Sequence, residues 1–271
     1  MTNLGAQFDQ SQRTLGDWDP AAYLKFEQER TRPSIDLVSR IKLERQPQYI
    51  LDVGCGPGNS SLVLRQRWPE AEVTGIDNSG TMIEQARGRY PDQSWVLADA
   101  MSYEADARFD VVFSNAAIQW IPDHERLIAR FFGFLSEGGV VAIQLPIFYG
   151  MAAGQALARL ARSPRWLQRT QGAIEEFTFH DYRYYFDLLV RYARAVDIWE
   201  TDYVHVMPSH ASILEMIRTT ALRPYLSRLG NEENRRAFQN ELLLQIKLQY
   251  PTQDDGQVLF PFRRLFMLGY R

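Results

Sequence analysis

The segment that decides the fold is Ile50-Leu51-Asp52-Val53-Gly54-Cys55-Gly56-Pro57-Gly58-Asn59, in which an apolar run passes directly into a glycine-rich turn. The apolar residues predict a short buried strand, Tyr49–Val53, and Ser60–Arg67 after the turn predicts a helix. Glycine adopts positive φ angles without strain and lets the backbone approach a ligand closely. The spacing is G-x-G-x-G rather than the G-x-G-x-x-G of dinucleotide sites, and no lysine follows to form a phosphate loop. The segment therefore predicts a strand, a ligand-binding turn and a helix in succession.

The alternation of strands and helices continues on both sides of this segment. Further strands are predicted at Glu72–Ile76, Ser94–Leu97, Phe109–Ser114 and Val140–Leu145. Helices are predicted at Ala21–Arg30, from Pro33 onward, at Ser79–Arg89 and at His124–Leu135, the last one ended by Gly138-Gly139. Such alternation indicates a parallel sheet with helices on both faces, whose ligands bind beyond the carboxyl ends of the strands.

After Pro146 the pattern changes. Residues 147–193 and 209–249 are predicted to be helical, Val196–Val206 to be a strand, and Gln257–Tyr270 to be a strand pair or one long bent strand. The predicted fold class is α/β, a doubly wound, mostly parallel seven-stranded sheet with helical cap insertions after strands five and six. The predicted organisation is a loose tail over 1–16, an N-terminal helical lid over 17–46, an α/β core over 47–146, a helical cap over 147–193, and final strands over 194–271 with the insertion at 209–249.

Polar residues stand at the end of each of the first four predicted strands. Asp52, two residues before the first glycine, suits a ligand with an ammonium group and would repel a pyrophosphate. Asp77 is placed to accept hydrogen bonds from two ribose hydroxyls, Asp99 from an adenine amino group, and Asn115 faces a methionine portion. A single aspartate after a strand is usually a helix cap, but four suitable groups in this order favour a site for S-adenosylmethionine, whose product is S-adenosylhomocysteine. The predicted cofactor residues are Tyr23, Asp52, Gly54, Gly56, Gly58, Asp77, Asn78, Met82, Asp99, Ala100, Asn115 and Ala116, and the chain looks like a class I methyltransferase.

Composition excludes several other classes of protein. The 30 basic and 33 acidic residues give a net charge of −3, which argues against a nucleic-acid substrate. The single cysteine, Cys55, forms no intramolecular disulfide and is interpreted as a packed residue, as expected for a cytoplasmic protein. No run of 18 apolar residues and no secretory signal is recognised, so no membrane is expected as a partner. The 4 histidines lack metal-ligand spacing, and no metal is predicted.

From Asp17 onward the chain resembles the trans-aconitate 2-methyltransferases. The stretches that carry the resemblance are Trp18-Asp19-Pro20 with Tyr23-Leu24 and Phe26, Glu29-Arg30-Thr31-Arg32-Pro33, Leu51–Ser60, Asn115–His124, Val196–His210 and Leu222-Arg223-Pro224. The last two are the most specific because they lie in predicted cap regions. The chain departs from the family pattern at Met216, at Ala221 and over 151–180, which concerns the identity of the acid more than the reaction.

The resemblance implies methyl esterification of one carboxylate of a small polycarboxylic acid. A carboxylate with a pKa near 4 is already ionised at neutral pH, so no residue is required as a general base. The other carboxylates need fixed cations, for which bidentate arginine is suited. The predicted substrate residues are Arg30, Arg32, Gln119, Trp120, Tyr203, His205 and Arg223, while Arg263 and Arg264 are weaker candidates. Each of these residues has an alternative to a role in substrate binding. Each arginine could be a solvated surface side chain. Trp120 could pack under the cap, and His205 could be a buried, hydrogen-bonded histidine.

Three other functions stay open at this point. A malonyl-carrier-protein methyltransferase would need an exposed basic docking patch rather than arginines enclosed in the cap. A cofactor-binding protein that transfers no methyl group is the second alternative. A nucleic-acid methyltransferase is disfavoured because Asn115-Ala116-Ala117-Ile118 stands where an Asn/Asp-Pro-Pro-Tyr sequence would be expected. The sequence does not indicate an oligomeric state.

Overall fold

The computed structural model describes residues 18, 19, 21 and 24–271. Within that part of the chain, one sheet contains seven strands in the order β3-β2-β1-β4-β5-β7-β6. The strands are β1 Tyr49–Val53, β2 Glu72–Asp77, β3 Ser94–Leu97, β4 Phe109–Asn115, β5 Leu135–Pro146, β6 Ala195–Met207 and β7 Val258–Tyr270. Strands β1 to β5 run parallel, and β7 is antiparallel to both of its neighbours. The predicted fold class, a mostly parallel seven-stranded α/β sheet, is confirmed.

Helices cover both faces of the sheet and build a separate core beyond it. Their bounds are α1 Glu27–Arg40, α2 Asn59–Arg67, α3 Gly80–Arg89, α4 His124–Phe134, α5 Ala152–Ala161, α6 Tyr182–Leu189, α7 His210–Arg218, α8 Arg223–Arg228 and α9 Glu232–Gln249. Residues of α1 and α2 pack on one face of the sheet, and residues of α4 and α6 pack on the other. Side chains of α5, α7 and α9 form a third apolar cluster with the outer ends of β6 and β7.

The predicted boundary between two N-terminal helices is wrong. A turn at Lys25 and Phe26 precedes α1, and Pro33 lies inside this helix instead of starting it. An interior proline removes one backbone hydrogen bond of the helix, an unfavourable term of about 3 kcal/mol. Burial of Leu37 and Val38 against the sheet offsets that loss and keeps the helix continuous. The predicted tail over 1–16 lies wholly outside the described residues, and the predicted helix Ala21–Arg30 lies partly outside them.

The glycine pair after α4 does not end that helix. The helix ends at Phe134, and both Gly138 and Gly139 lie within β5. Phe109 pairs with Leu135 but Val111 pairs with Val140, so the extra residues of β5 form a bulge. A Cβ atom on Gly139 would lie 3.0 Å from the carbonyl oxygen of Asp110, a close contact that favours glycine there.

The segment after Pro146 is less helical than predicted. Helices α5 and α6 are joined by turns and by a short 3-10 helix at Ile174–Glu176, because Pro164 and Gly172 interrupt the chain between them. The insertion over 209–249 contains α7, α8 and α9, and β7 is one continuous strand of 13 residues. None of the helices in the described part of the chain combines the length and hydropathy that a membrane span requires.

Candidate active site at the carboxyl ends of the strands

The glycine turn between β1 and α2 has the geometry of a ligand-binding loop. Gly54, Gly56 and Gly58 all have positive φ angles, of 72°, 54° and 93°. A Cβ atom on Gly54 would lie 2.2 Å from the Cβ atom of Ala117, so no larger residue fits there. A Cβ atom on Gly56 would meet no atom within 4 Å in the described structure, which leaves room for a ligand over this residue.

Asp77, the last residue of β2, is held against the glycine turn. Its Oδ2 atom accepts a hydrogen bond from the Gly56 backbone N–H and its Oδ1 atom accepts one from the Ser79 N–H, each at 2.9 Å. The neighbouring Asn78 is exposed and Met82 is buried in the first turn of α3. The carboxylate therefore stands in a fixed orientation beside the open space over Gly56, as a ribose-binding group requires.

Asp99 and Ala100 follow β3. Asp99 is exposed, and its Oδ1 atom accepts a hydrogen bond from the Met101 backbone N–H at 2.8 Å. Ala100 is buried. The side chain of Asp99 thus stabilises a turn in this structure, which is the local role that a single aspartate after a strand commonly has.

Asp52 lies beneath the turn rather than at its surface. The side chain is fully buried, and its Oδ2 atom accepts hydrogen bonds from the hydroxyls of Ser60 and Ser61, each at 2.6 Å. Its Oδ1 atom has no hydrogen-bond partner among the described residues. Burial raises the pKa of Asp52 from 3.8 to about 6, although the two serine hydroxyls act in the opposite direction. The strand-end carboxylate therefore ties the glycine turn to α2 through one of its oxygens.

We expect Asp52→Asn to remove a pH-dependent loss of stability. A carboxyl whose pKa is raised on folding stabilises the folded protein when protonated, and this contribution disappears as the pH rises from about 4 through about 6. At pH 7 the variant should exceed the wild type in free energy of unfolding by up to roughly 3 kcal/mol, and near pH 4 by much less. Denaturant unfolding from pH 4 to pH 7 measures this difference, and a difference independent of pH would contradict the prediction.

A matched control is Asp110→Asn. Asp110 is also buried, which raises its pKa, but hydrogen bonds from the Gln48 and Tyr49 N–H groups and the Ser136 hydroxyl, together with Arg45, outweigh burial and lower it. The ionised Asp110 stabilises the folded protein above its ordinary pKa, and this stabilisation is lost as the pH falls. Asp110→Asn should therefore be less stable than the wild type at pH 7.

The loop after β4 carries strained and unpaired groups. Ala116 has a φ angle of 54°, which is unusual for a residue with a side chain and is concentrated at functional sites. Gln119 donates from Nε2 to the Ala116 carbonyl oxygen at 2.7 Å, and Asn115 donates from Nδ2 to the Arg30 carbonyl oxygen at 3.4 Å. The Oδ1 atom of Asn115 and the Oε1 atom of Gln119 are buried and have no partner among the described residues. Polar atoms of this kind indicate a ligand-facing surface.

His124 holds this loop to the cap. It is the first residue of α4, as predicted, but it is also buried between the Tyr185 hydroxyl, 2.7 Å from Nδ1, and the Ile118 carbonyl oxygen, 2.8 Å from Nε2. Burial is the main cause of its lowered pKa. Sequence reasoning missed this link because Tyr185 lies 61 residues further along the chain.

Trp18, to which the sequence assigned no role, contacts both Trp120 and Arg223. The indole of Trp18 contacts Trp120 edge to face, with ring centroids 5.3 Å apart, and the Arg223 guanidinium lies 3.9 Å from the centroid of the Trp18 ring. Phe177 covers another side of Trp120 at 4.5 Å. Trp18 is anchored by its carbonyl oxygen, which accepts a hydrogen bond from Thr81. Part of an aromatic site with an adjacent cation is thus assembled from distant parts of the sequence.

The other predicted arginines have different environments. Arg30 is buried and donates to the Thr219 hydroxyl at 2.7 Å, which links α1 to α7. Arg32 is exposed, with its guanidinium 5.0 Å from the Tyr203 ring. Arg263 forms a bidentate ion pair with Asp202 at the surface, whereas Arg264 is buried beside Gln144. The adjacent positions of β7 therefore send one arginine outward and one inward.

Tyr203 and His205 share the inner face of β6. The Tyr203 hydroxyl donates to Asp36 of α1, and burial followed by this hydrogen bond raises the Tyr203 pKa. His205 is buried, and its Nε2 atom has no hydrogen-bond partner within the described ranges, so it is not the hydrogen-bonded histidine of the alternative interpretation. Burial, together with Arg264 and Arg32, lowers the His205 pKa to about 4, so the ring is neutral at pH 7.

Three further observations concern the site. Tyr23 lies outside the described residues, so its predicted contact with the cofactor stays a prediction. No group of three metal-ligating side chains occurs in the part of the chain that the structure describes. A surface cavity of about 480 Å³, lined by Glu104–Arg108 and the end of α4, lies away from the glycine turn and belongs to no predicted site residue.

Comparison with known proteins identifies the class. A family model described as a methyltransferase domain matches residues 50–139. YcgJ of Bacillus subtilis superposes with a TM-score of 0.58 at 15% identity, covering 89% of this chain and 98% of that chain. Phosphoethanolamine N-methyltransferase 2 of Haemonchus contortus, solved with S-adenosyl-L-methionine, gives 0.58 at 17% identity, covering 92% of this chain and 56% of that one. The fold and the glycine turn therefore define a class I methyltransferase, the class whose methyl donor is S-adenosylmethionine.

The particular family follows from sequence identity. Trans-aconitate 2-methyltransferase of Escherichia coli O157:H7 (strain EC4115) is 39% identical over 257 residues, covering 95% of this chain and 99% of the relative. The chain belongs to the trans-aconitate 2-methyltransferase family.

Proposed function

We propose that the protein transfers a methyl group from S-adenosylmethionine to one carboxylate of a small polycarboxylic acid, with trans-aconitate as the preferred acceptor. The observation that carries this proposal is the set of arginines on the substrate side of the sheet. Arg223 lies at the Trp18–Trp120 pair, Arg30 is buried where α1 meets Thr219, and Arg264 is buried beside Gln144. The family relatives named for trans-aconitate support the choice of acid.

The described residues fit the methyl donor. The open space over Gly56 and the fixed carboxylate of Asp77 suit a nucleoside. The buried Oδ1 atoms of Asp52 and Asn115 suit the polar end of an amino acid. We assign the remaining contacts to Gly54, Gly58, Asn78, Met82, Asp99, Ala100 and Ala116, with Tyr23 as an added contact from the N-terminal lid. When bound, the donor supplies an electrophilic methyl group on a sulfonium.

The residues of the chain provide alignment rather than proton transfer. A carboxylate is ionised at neutral pH and needs no base, and His205 stays neutral because its pKa is about 4. Correct placement of two reactants can contribute roughly 7–11 kcal/mol to a reaction of this kind. Trp120, Trp18 and Phe177 exclude water from one side of the reacting groups, which favours a reaction that neutralises charge.

An enclosed set of cations favours a small acid over a carrier protein. Arg30 and Arg264 are 7% and 3% exposed, so neither can form part of an exposed docking patch. Exposed arginines such as Arg263 and Arg191 are engaged by the acidic residues Asp202 and Glu125. We therefore assign residues 47–146 chiefly to binding of the donor, and we assign binding of the acid to residues of the segments 17–46, 147–193 and 194–271 together with Gln119 and Trp120.

The test is a transfer assay with labelled S-adenosylmethionine. The acceptors are trans-aconitate, cis-aconitate, citrate, isocitrate, isopropylmalate and malonyl carrier protein, and the readout is an extractable, base-labile methyl ester. We expect trans-aconitate to give the highest kcat/KM. Label on malonyl carrier protein alone would overturn the small-acid assignment, and donor binding without any labelled acceptor would support a protein that transfers no methyl group.

A further inference from the structure

A cluster of buried polar side chains lies beside the proposed donor site, near the carboxyl ends of β5 and β6 and at the middle of β7. It consists of Gln144, His205 and Arg264, which are 0%, 7% and 3% exposed. Arg264 donates from NH1 to the Gln144 Oε1 atom at 3.3 Å. The Nε2 atoms of Gln144 and His205 are buried without a hydrogen-bond partner among the described residues. We call this group the β7 polar cluster.

Sheet register places the cluster next to Asn115, at the proposed site of methyl transfer. Gln144 is the register partner of Asn115, and Arg264 is the partner of Pro146, two residues further along β5. Neighbouring strands lie about 4.8 Å apart, so the backbone of β7 stands roughly 10 Å from that of β4. An acid with several carboxylates on a short carbon chain can span this distance while one carboxylate stays near Asn115.

The cluster has the chemistry of an anion site. The guanidinium of Arg264 lies against the rings of Phe262 and Tyr203, at 4.6 and 5.9 Å from their centroids, and so it is kept in one orientation. Arg32 adds a second positive charge nearby, because its guanidinium lies 5.0 Å from the centroid of the same Tyr203 ring. A neutral imidazole protonated on Nε2 and the amide of Gln144 are hydrogen-bond donors. Burying such donors without partners is unfavourable by about 1–3 kcal/mol for each group, and a bound carboxylate would remove this penalty.

We propose that Gln144, His205 and Arg264 form the subsite for the substrate carboxylate farthest from the reacting one, an assignment that rests on the proposed methyl transfer to a small acid. The subsite selects acceptors by their number of carboxylates. It also gives a role to Arg264, the buried member of the Arg263-Arg264 pair.

The experiment compares Arg264→Gln with Arg263→Gln, the same change on the outward side of the strand. Acceptors are trans-aconitate and its dicarboxylic analogues, in each of which one carboxylate is replaced by hydrogen. In the wild type we expect at least one analogue to have a kcat/KM lower than trans-aconitate by about 30-fold or more, the loss typical of removing one member of a buried charged hydrogen bond. Arg264→Gln should reduce this preference to about threefold or less, and Arg263→Gln should keep it.

Binding provides a second readout that does not depend on turnover. Calorimetric titration of trans-aconitate in the presence of S-adenosylhomocysteine should show a weaker dissociation constant for Arg264→Gln by about 30-fold, with unchanged affinity for S-adenosylhomocysteine. If Arg264→Gln does not fold, Gln144→Met keeps the volume of the side chain and removes its hydrogen-bonding atoms, and it should show the same reduced preference.

The outcomes separate the two proposals. A wild type that methylates trans-aconitate, with a preference unchanged in Arg264→Gln and Gln144→Met, overturns the subsite and leaves the proposed function intact. A wild type that neither binds nor methylates any of these acids overturns both.

Discussion

Replacing Gly54 with alanine is expected to abolish donor binding and to lower the free energy of unfolding by roughly 2–5 kcal/mol. The positive φ angle of 72° is strained for any residue with a Cβ atom. The new methyl group would also lie 2.2 Å from the Cβ atom of Ala117. Either the glycine turn or the loop after β4 must move, and these are the two segments that the proposed donor site needs to hold together.

Two further variants isolate the cause of this loss. Gly138→Ala has a similar φ angle of 74° but no described atom within 4 Å of its new Cβ, so it should lose only about 1–2 kcal/mol. Adding Ala117→Gly to Gly54→Ala removes the steric contact and should restore part of the stability. Denaturant unfolding and calorimetric binding of S-adenosylmethionine measure both effects. Equal losses in Gly54→Ala and Gly138→Ala, with donor binding intact, would contradict the steric argument.

Replacing Arg223 with glutamine is expected to lower kcat/KM for the acid by about 100-fold or more while donor affinity stays within about twofold. The guanidinium lies 3.9 Å from the Trp18 ring centroid, and Trp18 contacts Trp120 directly after β4. In a site from which aromatic rings exclude water, a charged hydrogen bond to a carboxylate is stronger than at the surface. The loss should appear mainly in KM if Arg223 binds the ground state and the transition state equally.

The matched control is Arg218→Gln, because Arg218 is an exposed arginine at the end of α7 in the same insertion. It should keep the kcat/KM of the wild type within about threefold. Initial rates over a range of acid concentrations, at saturating S-adenosylmethionine, give the comparison. Full activity of Arg223→Gln, or equal losses in both variants, would remove Arg223 from the proposed substrate site.

The α/β core was predictable from sequence because its signals are local. Each of the first four strands was predicted to within one residue, because an apolar run followed by a polar residue or a glycine marks a strand end, whereas β5 begins five residues earlier than predicted. The errors at Pro33 and Gly138 have one cause. Pro33 was interpreted as the start of a helix and Gly138-Gly139 as the end of one, but burial of α1 and the bulge in β5 decided the structure.

The substrate side was less predictable because its contacts join distant residues. Trp18 meets Trp120 across about a hundred residues, and Arg264 meets Gln144 across 120. Local sequence offered one signal that was not used, a glutamine in the apolar run Val140–Leu145, which marks a polar position on a buried strand. The arginine on β7 that faces inward could not be distinguished from its neighbour until the register of β6 and β7 was known.

The antiparallel pairing of β6 and β7 has a consequence for how such a molecule can diversify. Met207, the last residue of β6, and Val258, the first residue of β7, are register partners. The chain between them therefore leaves and rejoins the sheet at the same point. Helices α7, α8 and α9 can therefore lengthen, shorten or be exchanged without shifting any strand of the sheet. Evolution, or an engineer grafting a new insertion, can change the proposed acceptor side there while the glycine turn proposed to bind the methyl donor stays unchanged.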